Sequence, residues 1–591
     1  MKKIFLFLVA LMSLTISAQN LEHVFDMDKL VESKGFLLSQ NNPNPFDGTT
    51  DVYLAVMEQA EVTLAVADIN GQLCARYTDS FESGVHQFRI TLKGKGNFVM
   101  GAHQGSNSSS IVMICDHSGS ANKIEYIGFV EAIDPAIFAQ LVNEDKEEDF
   151  EAFGAVKSAA QAAPTDEAFR VALSLSPFSL NQFDAGYTFV IGKDTAKRAE
   201  DLQKIYQKYG STEMYVRLAT KRHKTFKPDG SLDNTTDGKP DENANVHTFD
   251  QVMQTCSLAA KLNIPINPEV MCAYIYMDMD GTQAPRFSND PQSPCYYPEL
   301  FADARFAKIM KDGNKDIWQT LSLEDICYVL EKYGEFVGDS ILATGATVNN
   351  WNLGNEANFG FAGIGIGTPN AFDQTLAKAG AMKRYMSSLF SVWWLKKHVW
   401  KYEAQTLAAV KRGILNAYKK AGKDASKVKF STHIATVVST PRSSASFFTY
   451  MADHGYKMET AGISYYPSAP AMSFNKKKLL TKTVTRINKK CNVPVFIGEF
   501  SYPSQEMVGP FAGWNSQLGD YKKDQKGQSD IYRDVIAWGK THGLIGIRYW
   551  APDYEGEWYP MSMFEFKNKV GTAKQIMLNH KEIVQRTIIK K

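Results

Sequence analysis

Three things are scarce in this chain of 591 residues. Cysteine is the first: there are seven, at 74, 115, 256, 272, 295, 327 and 491, an odd number without a C-x-x-C pair. That is too sparse for a disulfide framework and offers no zinc-ligand spacing; a single bridge is allowed and none is needed. Excess charge is the second. Lys and Arg number 65 against 64 Asp and Glu, a formal charge of +1, so no basic face is available for nucleic acid or anionic lipid and an uncharged partner is expected. Long apolar runs are the third. Beyond the N-terminus none approaches the ~20 residues that cross a bilayer, so no membrane span is expected.

What is present points to a large exported globular protein. The length exceeds what one core organises, so at least two domains are expected. A hydrophobic share of 44% with 22% charged residues excludes disorder as the main state. Tyr, Phe and Trp are plentiful, and their flat rings suit sugar stacking as well as core packing. At the start, Lys2 and Lys3 precede an apolar stretch from Ile4 to Leu14, then Ser17 and Ala18. Residues 1–18 therefore read as an export signal. No Cys follows it, so lipid attachment is not expected, and the destination is periplasm, cell surface or medium.

Composition divides the rest. Residues 36–130 alternate in short runs such as "TDVYLAVME" and "EVTLAVADINGQL", broken at Asp47-Gly48, Asn70-Gly71 and Ser83-Gly84, the pattern of a small β-sandwich. Residues 131–184 are acidic and Ala-rich and read as a connector. From 185 to 585, β-rich runs recur between amphipathic stretches: 187–192, 213–220, 264–271, 347–356, 427–435, 459–467, 493–500 and 543–552. Eight strands alternating with helices predict an α/β fold, a (β/α)₈ barrel with long βα loops preceded by the sandwich. A doubly wound sheet is the alternative, but no G-x-G-x-x-G follows the first run.

A barrel demands polar chemistry at the C-terminal ends of its strands. Arg217 lies in the second run, Asn355 and Glu356 end the fourth, His433 lies in the fifth, Tyr465-Tyr466-Pro467 ends the sixth, Glu499 the seventh and Tyr549-Trp550 the eighth. In "WNLGNE" and "VFIGE" a carboxylate closes an apolar strand, where it is costly to place. Each could cap a helix or pair with an Arg. Two of them at strands four and seven instead suit glycosidic cleavage, in which one acid protonates the leaving oxygen and the other attacks the anomeric carbon. No cofactor and no metal are called for.

Several motifs, taken in order, carry a resemblance. "WNLGNEANFG", "GISYYPSAP", "VPVFIGEFSYP", "DQKGQSDIYRDVI" and "GLIGIRYWAPDY" together resemble glycoside hydrolase family 53, the endo-β-1,4-galactanases of a large clan of retaining barrel enzymes, over most of residues 186 to 580. The resemblance implies Glu356 as acid/base and Glu499 as nucleophile. It implies Asn355 on the sugar 2-hydroxyl, and Arg217 as the cation beside the nucleophile. Tyr466 would donate to the nucleophile, with Tyr465 as the other candidate, since alternation turns only one of the two inward. His433 is expected at the substrate, and Trp550 as a sugar-stacking platform. The opening "LSQNNPNPFDGTTDVYL" with "EVTLAVADINGQL" resembles the sorting modules of type IX secretion, which occupy the C-terminus in that family and the N-terminal side here.

Two departures bear on substrate. The family's third strand ends in a His-Tyr-Ser-Asp series, where this chain reads "EVMCAYIYMDMDGTQAP", and Ala551 stands where the family has Glu. The expected substrate is β-1,4-galactan. Another β-glycan, such as mannan, xylan or glucan, and a barrel that binds glycan without turnover are the alternatives.

Overall fold

The computed structural model describes residues 27–133, 169–218, 248–272, 321–365, 399–436, 439–469 and 476–585, with shorter stretches between them. The export signal, most of the connector, and the long loops after the second and third predicted strands lie outside the described residues. The chain divides into two compact units, one within 1–149 that also takes in 378–398, the other within 150–377 and 399–591.

The first unit is built from two β-sheets. One orders Leu37–Leu38, Thr49–Val56, Gly84–Thr91 and Lys123–Glu131; the other orders Phe46–Asp47, Asn107–His117, Gly96–Gln104, Ala60–Asp68 and Leu73–Phe81. Alternate residues of both sheets supply one apolar cluster, with Val52, Leu54, Phe88 and Ile90 from the first and Val62, Leu64, Val66 and Met100 from the second. Period-two patterning over eight or nine residues is enough to set such faces, because successive side chains point to opposite sides of a strand.

In the second unit eight parallel strands form one sheet: β1 (Arg170–Ala172), β2 (Met214–Leu218), β3 (Ile266–Val270), β4 (Trp351–Leu353), β5 (Phe430–Ala435), β6 (Thr460–Tyr465), β7 (Val495–Phe500) and β8 (Leu544–Tyr549). From β2 onward each pairs with the next, and β8 pairs back to β1. The seam between β1 and β2 is joined differently. Thr212 N–H donates to the Val171 carbonyl at 2.9 Å, Val171 N–H to Thr212 Oγ1 at 2.8 Å, and Tyr215 N–H to Ser174 Oγ at 3.0 Å. The result is a (β/α)₈ barrel.

The first predicted strand is corrected by this topology. Residues 187–192 were expected to open the barrel; instead Thr188–Ile191 joins Asp194–Ala196, Phe564–Lys567 and Val570–Ala573 in a separate sheet, and β1 begins at Arg170, inside the predicted connector. A strand of three residues between Phe169 and the Ser-containing "SLSPFS" is too short for a period to register.

The helices follow from amphipathic spacing and from caps. Among the described residues, the long helices that follow a barrel strand of the same number are α1 (Ala199–Lys208), α2 (Phe249–Lys261), α3 (Leu323–Ala343), α4 (Lys401–Lys420), α5 (Pro441–Asp453), α6 (Lys476–Cys491) and α7 (Gln525–Gly539). In α3, Ile326, Val329, Leu330, Tyr333, Val337 and Ile341 are buried, one face at helical period. Thr248, Ser322, Thr440 and Asp524 each accept a backbone N–H at an N-terminus, worth about 1 kcal/mol apiece, and this fixes where the loops hand over to the helices.

Candidate active site

All the singled-out side chains except Tyr465 lie in or above the barrel mouth, and Arg217 organises them. From β2 its guanidinium reaches across the interior: Nη2 donates to Asn355 Oδ1 at 3.1 Å and to Glu499 Oε1, Nε donates to the Tyr215 hydroxyl, and Nε lies 2.9 Å from Glu269 Oε1. The same guanidinium stacks over the Trp550 ring with its carbon 4.1 Å from the centroid. Burial alone would lower the guanidinium pKa, but the Glu269 carboxylate, with Tyr215 and Glu499, raises it above its usual value. Arg217 is a permanent cation between two carboxylates.

Glu499 reaches its place through an irregularity. By strict alternation it would share the face of Val495 and Ile497, opposite Phe496, whose ring packs in the interior against the guanidinium of Arg170. The β6–β7 register steps from Ile463↔Ile497 to Ser464↔Glu499, skipping Gly498, and this bulge returns Glu499 to the inward side. There it is nearly buried, bonded to Arg217, and its Oε2 accepts from the Tyr466 hydroxyl. Tyr466 is thus the inward member of the tyrosine pair, while Tyr465 packs on the Phe500 ring.

Glu356 follows β4 in the left-handed backbone region, at φ 48° and ψ 46°. For a residue with a side chain that conformation costs about 1–2 kcal/mol and must be imposed by its surroundings. Burial, followed by the negative charge of Glu499, pushes its carboxyl up to about 8. The two acids are therefore close enough to feel each other, and Glu356 holds its proton at neutral pH. A protonated carboxyl facing an ion-paired carboxylate is the division of labour that acid-assisted displacement needs.

His433 is fully buried beneath these groups. Its Nδ1 lies 3.0 Å from Asn352 Nδ2 and 3.5 Å from Glu269 Oε2, and its Nε2 lies 3.8 Å from Glu499 Oε1. The ring rests on glycine: a Cβ at Gly462 would come within 2.4 Å of the His433 Cβ, and one at Gly498 within 3.2 Å. Burial lowers its pKa.

Sequence reasoning missed the floor of the site. Glu269, on β3, is completely buried, with Tyr215 donating to Oε1 at 2.9 Å, and Asn352 and Arg548 donating to Oε2 at 3.0 and 3.1 Å. The signal was available, since a carboxylate inside "IPINPEVM" is as costly as those in "WNLGNE" and "VFIGE".

Around the mouth on the Glu499 side, the segments after β1, β6, β7 and β8, with Tyr215 from β2, contribute one aromatic cluster. Trp550, Trp558, Tyr466 and Tyr215 are buried, and Phe178, Phe511, Trp514 and Tyr554 are half-buried against them. Phe178 and Tyr554 stack with centroids 4.0 Å apart, and Trp514 meets Trp558 edge-on at 5.4 Å.

Two acids at the ends of strands four and seven of a (β/α)₈ barrel, with an arginine between acid and floor, are an arrangement that suits glycosidic cleavage. Residues 296–587 match the family model described as Glycosyl hydrolase family 53. The match begins after β3 and covers just under half of the chain. The chain is also similar to the family 53 catalytic domain of Ignisphaera aggregans, at 15% identity over 73% of this chain and 99% of that one, with a TM-score of 0.47. A structure from a study of two fungal β-1,4-galactanases shares 13% identity over 70% of this chain and 100% of that one, at 0.46. Bacteroides uniformis β-glucuronidase 2 shares 9% over 96% of this chain and 51% of that one, at 0.36. No curated protein matches the chain. Among the described residues no helix is long and apolar enough to cross a membrane.

Proposed function

We propose that this protein is an exported, retaining endo-glycoside hydrolase that cleaves β-1,4-galactan. Glu356 protonates the glycosidic oxygen as Glu499 attacks the anomeric carbon. Glu356 then deprotonates the water that releases the glycosyl-enzyme, restoring both groups. Asn355, held by Arg217, donates to the sugar 2-hydroxyl, Tyr466 and Arg217 orient the nucleophile, and Trp550 offers a ring to the sugar at the scissile bond. His433 supports Glu499 from below.

The observation that carries the reading is the unequal setting of the two glutamates. One carboxyl is raised to about 8 by burial and by its neighbour's charge, and the other is ion-paired to Arg217 and bonded to Tyr466. Galactan as the substrate draws on the family 53 match. Ala551 and the altered end of β3 favour a second reading, a different β-glycan cleaved by the same two acids. Export draws on residues 1–18 alone.

The test is incubation with galactan, mannan, xylan and glucan, product sizing, and NMR of the newly released anomeric centre. Galactan oligomers of retained configuration are expected. Release from another polymer only moves the specificity to the second reading. Absence of cleavage on all four leaves a binding protein, and turnover surviving Glu499→Ala removes the nucleophile.

A further inference from the structure

We propose that Glu269 is a positioning residue: from the barrel floor it pins Arg217 in the orientation that serves both Glu499 and Asn355, and it places a fixed negative charge below Glu356. The inference rests on the reading of Glu356 and Glu499 as the catalytic pair.

The geometry assigns this role because Glu269 is where all the supporting strands meet. From β2 come the Tyr215 hydroxyl at 2.9 Å and Arg217 Nε, also at 2.9 Å. Asn352 on β4 donates at 3.0 Å, His433 on β5 lies 3.5 Å away, and Arg548 on β8 donates at 3.1 Å. The guanidinium of Arg548 also lies 3.5 Å from the Tyr215 ring centroid, so the phenol that bridges Glu269 and Arg217 is clamped from its face. Arg217 uses Nε toward the floor and Nη2 toward the mouth. A planar fork fixed at one edge has its other edge aimed, which a flexible ammonium could not achieve.

The charge balance supports the same role. Two buried guanidiniums, Arg217 and Arg548, face two carboxylates, Glu269 and Glu499, and a buried charge left unpaired is strongly unfavourable. Burial alone would raise Glu269, but Arg217, then His433 and Arg548, hold it below the ordinary carboxylate range. It is thus an anion at neutral pH. Of the charges acting on Glu356, Glu499 pushes it upward most, Arg217 pulls it down and Glu269 adds a smaller upward push, and the Tyr466 hydroxyl also lies in its field.

The test is a titration of the Glu356 carboxyl by ¹³C NMR in the full chain, with the resonance assigned by its loss in Glu356→Gln. Glu269→Gln keeps the shape and removes the charge; the Glu356 midpoint is expected to move down from about 8. Arg548→Gln, which leaves Glu269 less compensated, is expected to move it up and serves if Glu269→Gln does not fold. A merely structural Glu269 would shift stability but not these midpoints in opposite directions. A folded variant with the wild-type midpoint overturns the inference. Where the wild type cleaves a glycan, Glu269→Gln is also expected to lose about 10- to 100-fold in kcat/KM, chiefly in kcat, as Arg217 swings off Glu499. Unchanged kcat in a folded variant overturns the positioning role. The titration needs no turnover, so loss of the galactanase reading and loss of this one are told apart.

Discussion

Replacing Glu356 with Gln should make the barrel more stable at alkaline pH while destroying its activity on polymer. The folded protein raises the Glu356 carboxyl from an ordinary 4.5 to about 8. Between those values the folded state carries a proton that the unfolded chain has released, so linkage makes wild-type stability fall as pH rises. At 1.36 kcal/mol per pH unit the window is worth about 5 kcal/mol as an upper bound, fully retained below 4.5 and lost by pH 8. Gln keeps the shape, carries no titrating proton and removes that term. The assay is the thermal midpoint of the barrel transition for wild type and Glu356→Gln between pH 4.5 and 8.5. Near pH 4.5 the two should lie close together, and the variant's advantage should grow steadily to several degrees by pH 8. A difference that is flat with pH would show that Glu356 titrates normally, and its assignment as the acid would fall with it.

Glu356→Ala should lower cleavage of polymer by about 10²–10⁴-fold yet spare aryl glycosides with strongly acidic leaving groups, because such groups depart without protonation; equal loss on both, measured by initial rates, would contradict the acid role. Arg217→Lys should cost about 100-fold in kcat/KM, since one ammonium cannot reach Asn355, Glu499 and the floor together. Trp514→Ala and Tyr554→Ala should raise KM for long oligosaccharides while leaving kcat near wild type, if the aromatic side of the mouth holds sugars beyond the one attacked; steady-state kinetics against chain length reads this directly.

The sequence made much of this legible, and the gaps have physical causes. Seven of the eight barrel strands could be located because each lies in an apolar, β-rich run between amphipathic stretches. The first could not, since the three residues of β1 adjoin an acidic, Ala-rich stretch that reads as a connector, and β1 meets β2 through one backbone bond and the side chains of Thr212 and Ser174 rather than a ladder. Glu499 drew notice as a carboxylate in an apolar run, but alternation alone would have pointed it outward; the bulge at Gly498 is a pairing event that no single strand encodes. Glu269 and Arg548, each next to last in its strand, went unnoticed because their charges gain meaning only as partners of one another and of Arg217, which lies beside Glu269 in register. Tyr466 could be separated from Tyr465 only by knowing which face of β6 is inward.

The backbone at the mouth carries the same logic as the charges beneath it. Cys272, Glu356 and Ala551 all adopt positive φ, at 46°, 48° and 49°, and each lies two or three residues past the end of a barrel strand, β3, β4 and β8. At about 1–2 kcal/mol each, left-handed non-glycine residues persist only where neighbouring contacts leave no alternative. The floor provides such contacts: Asn352, two residues before Gly354, donates at 3.0 Å both to Glu269 and to the Gly354 carbonyl, which sets the chain's course just before it turns at Glu356. The two demands of the proposed mechanism, a proton retained on Glu356 and a carboxylate aimed on Glu499, thus converge on one buried cluster below them. Weakening that cluster should therefore release strain at the mouth as it costs stability at the floor. Glu269→Gln is expected to lose stability overall, and Asn355→Gly, which removes the side chain that Arg217 holds at the sugar, should cost less rate in that background than in the wild type; additive losses in a double-mutant cycle would show that mouth and floor act independently.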